Sequence, residues 1–468
     1  MFNKNFKKSL IILVACLMLA LVVFAACDQT DLFTPVVKDD FTGKTVEDNG
    51  GIAVKYGDYI YYVNGFLGDV SAENTYTNTI RTGAIVRVKA SKIDEIVALN
   101  DEDLSAKEKS ERIAKAVKDN VQLVVPCYYF SQNESNTNIA GIYIFNDRLY
   151  ITTPNQELTE GGQKKTNQLV LESYKLDGSD RKQHFVFTGS AWSTSTTNLE
   201  VMLAEVNGEV YATYVLESKL HSVKVSDGTD KVIAEEISNA KIDGANNVVF
   251  YMDKDGQICQ YNAGAAEGKV LVEKVDTEES KLTYTISAVS DGYVYYTQAD
   301  EKNSTMDGKI VYYAGGNTVG GVAVLNAIPK GTYLGWGAKA IIVDDETHNG
   351  TTAKTYKVLA TWVEGGETKT ETLFESRYAI TLVKVENGKL FYTEDGVTYT
   401  VELGTQNDAE FYAKGLSGFT TTGWAQADVV GNYVFTLSSG SVNVVVYNAD
   451  TQKNSTSTNI TLVADVEE

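Results

Sequence analysis

Gly57-Asp58-Tyr59-Ile60-Tyr61-Tyr62 sets the pattern that decides the fold: a pair of turn residues, then strand formers centred on an aromatic. The pattern returns as Asn146-Asp147-Arg148-Leu149-Tyr150-Ile151, Asn207-Gly208-Glu209-Val210-Tyr211 and Asn246-Asn247-Val248-Val249-Phe250-Tyr251. It returns again as Asp291-Gly292-Tyr293-Val294-Tyr295-Tyr296, Asn387-Gly388-Lys389-Leu390-Phe391-Tyr392 and Gly431-Asn432-Tyr433-Val434-Phe435. A degenerate copy, Gly337-Ala338-Lys339-Ala340-Ile341-Ile342-Val343, fills the wide gap that remains. Asp-Gly and Asn-Gly suit a two-residue hairpin because both central positions of that turn take positive φ.

With Tyr61, Tyr150, Tyr211, Phe250, Tyr295, Ile342, Phe391 and Phe435 as anchors, the spacings are 89, 61, 39, 45, 47, 49 and 44. The last five match a four-stranded propeller blade of about 40–50 residues. The fifth unit shows the four strands: Leu282 to Ser290, Tyr293 to Thr297, Lys309 to Tyr313 and Val322 to Ile328. The expected fold is therefore all-β, a β-propeller of eight four-stranded blades or, because the first two units are irregular, seven. Two stacked β-sandwiches are the competing arrangement, but they do not explain one anchor repeating from 61 to 435. The anchors themselves read as packing between adjacent blades.

The long first spacing has its own cause. Residues 101–120 are rich in Lys, Glu and Ala, Ser105 stands three before Glu108 as a capping box, and Ile113 and Val117 form a narrow apolar stripe. This predicts one surface helix inserted in the first blade, with the strand-like Val121 to Phe130 returning the chain to the ring.

Lys4, Lys7 and Lys8 precede an apolar run from Leu10 to Ala26, the build of an export signal. It ends in Phe24-Ala25-Ala26-Cys27, followed by Asp28-Gln29-Thr30. Two small residues before a Cys resemble a bacterial lipoprotein signal, in which Cys27 would be lipidated and become the first residue; a plain membrane anchor or ordinary signal is the alternative. Residues 1–26 are read as signal peptide, 27–49 as lipidated Cys and polar tether, and 50–468 as the propeller, held on the outer side of the cell membrane. Together, the signal and the Tyr-rich repeats resemble the β-propeller lipoproteins of Gram-positive bacteria. That resemblance implies a surface-anchored propeller of variable ligand and brings no catalytic residues.

The composition narrows the function. The chain has 468 residues and a net charge of −21; removal of residues 1–26, with three Lys and no acid, takes this to −24. With no basic cluster beyond the first ten residues, nucleic acid is not an expected partner. Three His and four Cys remove most zinc, haem and iron–sulfur schemes, so no metal or cofactor is expected. Cys127 and Cys259, the two thiols left in the body, read as buried and free, a disulfide being the alternative. His184, His221 and His348 stand far apart in sequence, and Gly-x-Ser-x-Gly does not occur. Asp253-Lys254-Asp255-Gly256, Asp177-Gly178-Ser179-Asp180 and Asp227-Gly228-Thr229-Asp230 look like calcium loops but lack the five fixed ligands and closing Glu, so they read as hairpin turns.

Trp192, Trp336 and Trp424 each stand early in a module, where they could stack on a sugar or grip a peptide; filling space between blades is the plainer reading. Trp362 reads as packing. The expected function is a non-catalytic module, lipid-anchored in the membrane, binding a protein or glycan partner. The alternatives are a polysaccharide-active enzyme on a propeller scaffold and an envelope assembly factor.

Overall fold

This is a computed structural model. It describes residues 43–65, 84–125, 141–155, 168–187, 199–290, 292–303, 309–314, 332–333, 339–345, 355–364, 367–376, 380–386, 389–394, 397–402, 426–437, 441–448 and 453–463.

Among the described residues the strands form eight antiparallel sheets, each a meander in chain order except that in the eighth Thr458–Asn459 returns to pair with Val442–Asn448. The blades run 46–125, 143–187, 201–234, 238–272, 282–314, 332–376, 380–402 and 426–459. Their first strands touch one another through blades eight, one and two and again through blades four to seven, so they form the inner edge. The molecule is a β-propeller, and the count of eight stands over seven. Blades five and seven have three described strands each; Val322 to Ile328 lies outside the described residues.

All eight anchors fall on the second strand from the inner edge of a blade proper. Tyr61, Phe250, Tyr295 and Phe435 are fully buried, as packing between blades requires. The turns before these strands carry the positive φ that Asn and Gly tolerate: Asn146 at 49°, Asn207 at 53°, Gly208 at 80° and Gly431 at 59°.

Blade one differs from expectation at both ends. An extra strand, Val46–Glu47, lies inside Ala53–Tyr56, so residues 43–49 belong to the fold rather than to the tether. Gly50 and Ile142, and Ile142 and Gly51, are joined by backbone hydrogen bonds of 2.8 Å each, which tie this hairpin to blade two. Asn49 exchanges two more with Ile144. The passage is so tight that a Cβ on Gly141 would overlap the Gly50 carbonyl, and one on Gly51 the Asp428 carboxylate.

The insertion in blade one is a hairpin of two helices, not the single helix expected. Helix α2 (Ala106–Asn120) has the predicted Ser105 N-cap and both arms of its capping box. Helix α1 (Ala90–Asp101) precedes it, with no side-chain cap. Ile93, Ile96 and Val97 of α1 are buried in one core with strands of blades one and eight. Tyr433 Oη donates to the Ala90 carbonyl at 3.3 Å and to Asp94 at 3.2 Å, and Asn100 donates to the Ser457 carbonyl at 3.1 Å. The hairpin spans the seam between the first and last blades. No described helix is long and apolar enough to cross a membrane.

Candidate functional site

Blades two and three meet over an aromatic core that includes Tyr150, Phe187 and Tyr214. Two of the three histidines of the chain come to this junction. His184 lies on Lys182–Phe187, whose pairing steps from Leu171↔Phe185 to Glu172↔Gln183. His184 is the extra residue of this bulge, which turns its ring toward Tyr150, at 5.7 Å between centroids. His221 stands opposite Tyr214 across a regular pair, and their rings stack at 4.8 Å and 4°. Phe187 meets Tyr214 edge-on at 4.9 Å.

Each histidine has a polar partner. His184 Nε2 is 2.6 Å from Ser173 Oγ, which also accepts from Arg148 Nε at 3.0 Å. Arg148 continues to the Asp180 carboxylate at 2.8 Å and the Asp180 carbonyl at 2.7 Å. Burial pushes the His184 pKa down and the Arg148 charge lowers it further, while a backbone hydrogen bond to Val225 of blade three works the other way. The His184 ring is therefore neutral at pH 7, able to accept the Ser173 proton. His221 Nδ1 lies 3.0 Å and 3.1 Å from the two oxygens of Asp230. Glu172, fully buried beside the first cluster, accepts from Tyr174 Oη at 2.7 Å and pairs with Arg181.

A serine hydroxyl held between a guanidinium and a neutral imidazole is the polarised half of a nucleophilic site. Here Ser173 is fully buried, and the bonds join strands of blade two. His221 and Asp230 likewise cross between the last two strands of blade three. These clusters were invisible in the sequence because 37 positions separate the two histidines and only the adjacency of blades unites them.

The acidic turns act as turns. Asp177 Oδ1 accepts from Ser179 N at 2.9 Å, Asp227 Oδ1 from Thr229 N at 2.9 Å, and Asp253 Oδ1 from Asp255 N at 3.0 Å and Gln257 N at 2.9 Å. These are Asx turns, in which one carboxylate oxygen of the first aspartate is held by backbone amides. Cys259 is buried and free; burial and the Asp253 carboxylate push its thiol up to about 12. Cys127, Cys27, His348, Trp192, Trp336 and Trp424 lie outside the described residues. Trp192 and Trp424 precede the first strands of blades three and eight, whereas Trp336 follows that of blade six. Trp362 lies on Thr355–Glu364, opposite Lys369.

No protein-family model matches the chain, and no curated protein does. Among solved structures, apo AztD from Citrobacter koseri is similar over 88% of this chain and 95% of its own, at 8% identity and a TM-score of 0.33. The N-terminal domain of Nup159 is similar over 92% and 98%, at 11% identity and a TM-score of 0.27. A puromycin-hydrolyzing peptidase from Mycobacterium tuberculosis is similar over 67% of this chain and 46% of its own, at 11% identity and a TM-score of 0.30. The chain thus spans about half the length of that peptidase. The fold rests on the eight sheets themselves.

Proposed function

We propose that this protein is a lipid-anchored extracytoplasmic propeller that binds a protein or glycan partner and leaves it chemically unchanged. One observation carries the non-catalytic part: the polar groups gathered between blades two and three are consumed in strand-to-strand bonds, with Ser173 fully buried beside His184. The anchor rests on Cys27 at the end of the apolar run. Propellers serve many functions on one scaffold, so the partner has to be found by experiment.

The test is a binding screen of the protein against cell-envelope glycans and envelope proteins, with a Trp336→Ala/Trp424→Ala double variant beside it. Saturable binding supports the reading, and its loss in a folded double variant places the partner on those tryptophans. Retained binding returns them to the core. Hydrolysis of any offered polysaccharide overturns the reading in favour of an enzyme.

A further inference from the structure

The point where the chain enters the ring fixes which end of the propeller can meet a membrane. Gly43 N donates to Asp147 at 3.2 Å, Lys44 N to Tyr56 Oη at 3.2 Å, and Gly57 N to the Thr45 carbonyl at 3.0 Å. Residues 57–58 and 146–147 are the turns between the first and second strands of blades one and two. In a meander those turns, and the turns between third and fourth strands, share one end of the ring, here termed the entry face. The α1–α2 hairpin, which joins a third to a fourth strand, rises from it too. The connections between second and third strands, and those between blades, open at the far face.

Fifteen residues, 28–42, separate Cys27 from Gly43. Fully extended they reach at most ~50–55 Å. To bring the far face to the lipid, the tether would have to cross a blade of four strands, about 19 Å, and descend a strand of about seven residues, another ~23 Å. That path of about 42 Å takes up most of the fully stretched tether and leaves only about 8–13 Å between body and lipid. The inner edge of blades one and two is already lined by residues 46–51. The direct path from Gly43 needs no such extension.

We infer that the entry face is the membrane-proximal surface and that the far face is the one presented outward for a partner. The inference rests on Cys27 carrying the lipid. Exposed Asp58, Asp180, Asp227 and Glu267 mark the turns of the entry face beside exposed Lys89, Lys175 and Lys182, so it carries charge of both signs rather than a basic patch that would adsorb to anionic headgroups. The tether alone sets the orientation.

Ser226 and Glu235 flank the last strand of blade three at opposite ends, and both are exposed. Full-length Ser226→Cys and Glu235→Cys proteins, each labelled with a donor fluorophore, are placed in phosphatidylcholine vesicles containing an acceptor-labelled lipid. Labelling of the unsubstituted chain, with Cys127 and Cys259, gives the background. Energy transfer is expected to be clearly greater from position 226 than from 235. Equal transfer, or more from 235, overturns the orientation while leaving the anchor intact. A chain that does not stay with the vesicles and shows no lipid mass on Cys27 overturns the anchoring reading, and the orientation with it, through a separate readout.

Discussion

Asn64 and Leu462, 398 positions apart, exchange two hydrogen bonds: Asn64 Nδ2 donates to the Leu462 carbonyl at 2.8 Å, and Leu462 N donates to Asn64 Oδ1 at 2.8 Å. The side-chain amide mimics a backbone peptide and pairs the end of the second strand proper of blade one with the C-terminal segment. Tyr62 Oη adds a bond to the Ile460 carbonyl at 3.0 Å, and its ring meets Phe435 at 5.4 Å. The first and last blades are thereby closed into a ring by both ends of the chain.

Replacing Asn64 by Ala strands both backbone groups of Leu462 in a buried place. A loss of about 2–4 kcal/mol is expected, since an unsatisfied buried polar group costs about 1–3 kcal/mol. Denaturant unfolding checks this. Asn64→Asp is expected to be no milder, because a carboxylate cannot donate to the carbonyl.

Gly141→Ala and Gly51→Ala separate backbone from side-chain obstruction. The Gly141 Cβ would meet the Gly50 backbone, which cannot step aside, whereas the Gly51 Cβ would meet the Asp428 side chain. Asp428 Oδ2 accepts from Ala53 N at 3.1 Å, so moving it gives up that bond. Gly141→Ala is expected to be the more damaging of the two in thermal unfolding, by at least about 1 kcal/mol.

The two helices answer differently to substitution. Ser105→Ala removes an exposed capping box and is expected to cost about 1 kcal/mol. Ile93→Ala opens the core shared by blades one and eight and is expected to cost about 2–5 kcal/mol. If the hairpin were an ornament, the second value would fall to the level of the first.

His184 gives the stability a pH dependence of known sign. Its folded pKa lies below the ordinary 6.5, so the unfolded chain binds the proton more readily. Its contribution is complete above pH 6.5 and is lost as pH falls from there through the depressed folded value. Thermal unfolding between pH 7.5 and 5 is expected to show a decline that is shallower in His184→Gln. Equal slopes in the two proteins would remove His184 as its source.

Much of this ring was legible from residues alone. A turn followed by an aromatic marks a strand wherever it falls, and the Ser105–Glu108 cap is a local signal that needs no tertiary context. Helix α1 was not legible: Ile93, Ile96 and Val97 sit on one face, yet Lys89 gives no cap, and what holds the helix is a blade more than 300 residues away in sequence. The extra strand Val46–Glu47 escaped for the same reason, since a two-residue strand has no period to read. The pairing of Ser173 with His184 follows from a bulge, a departure from alternation that the alternation itself cannot announce.

The central claim, that this propeller binds without chemistry, is tested most directly by recovering the ligand after prolonged incubation with the full-length anchored protein and measuring its mass. The account predicts saturable binding and a ligand of unchanged mass, in equal amount before and after. A ligand shortened, hydrolysed or otherwise altered in proportion to protein and time would contradict it.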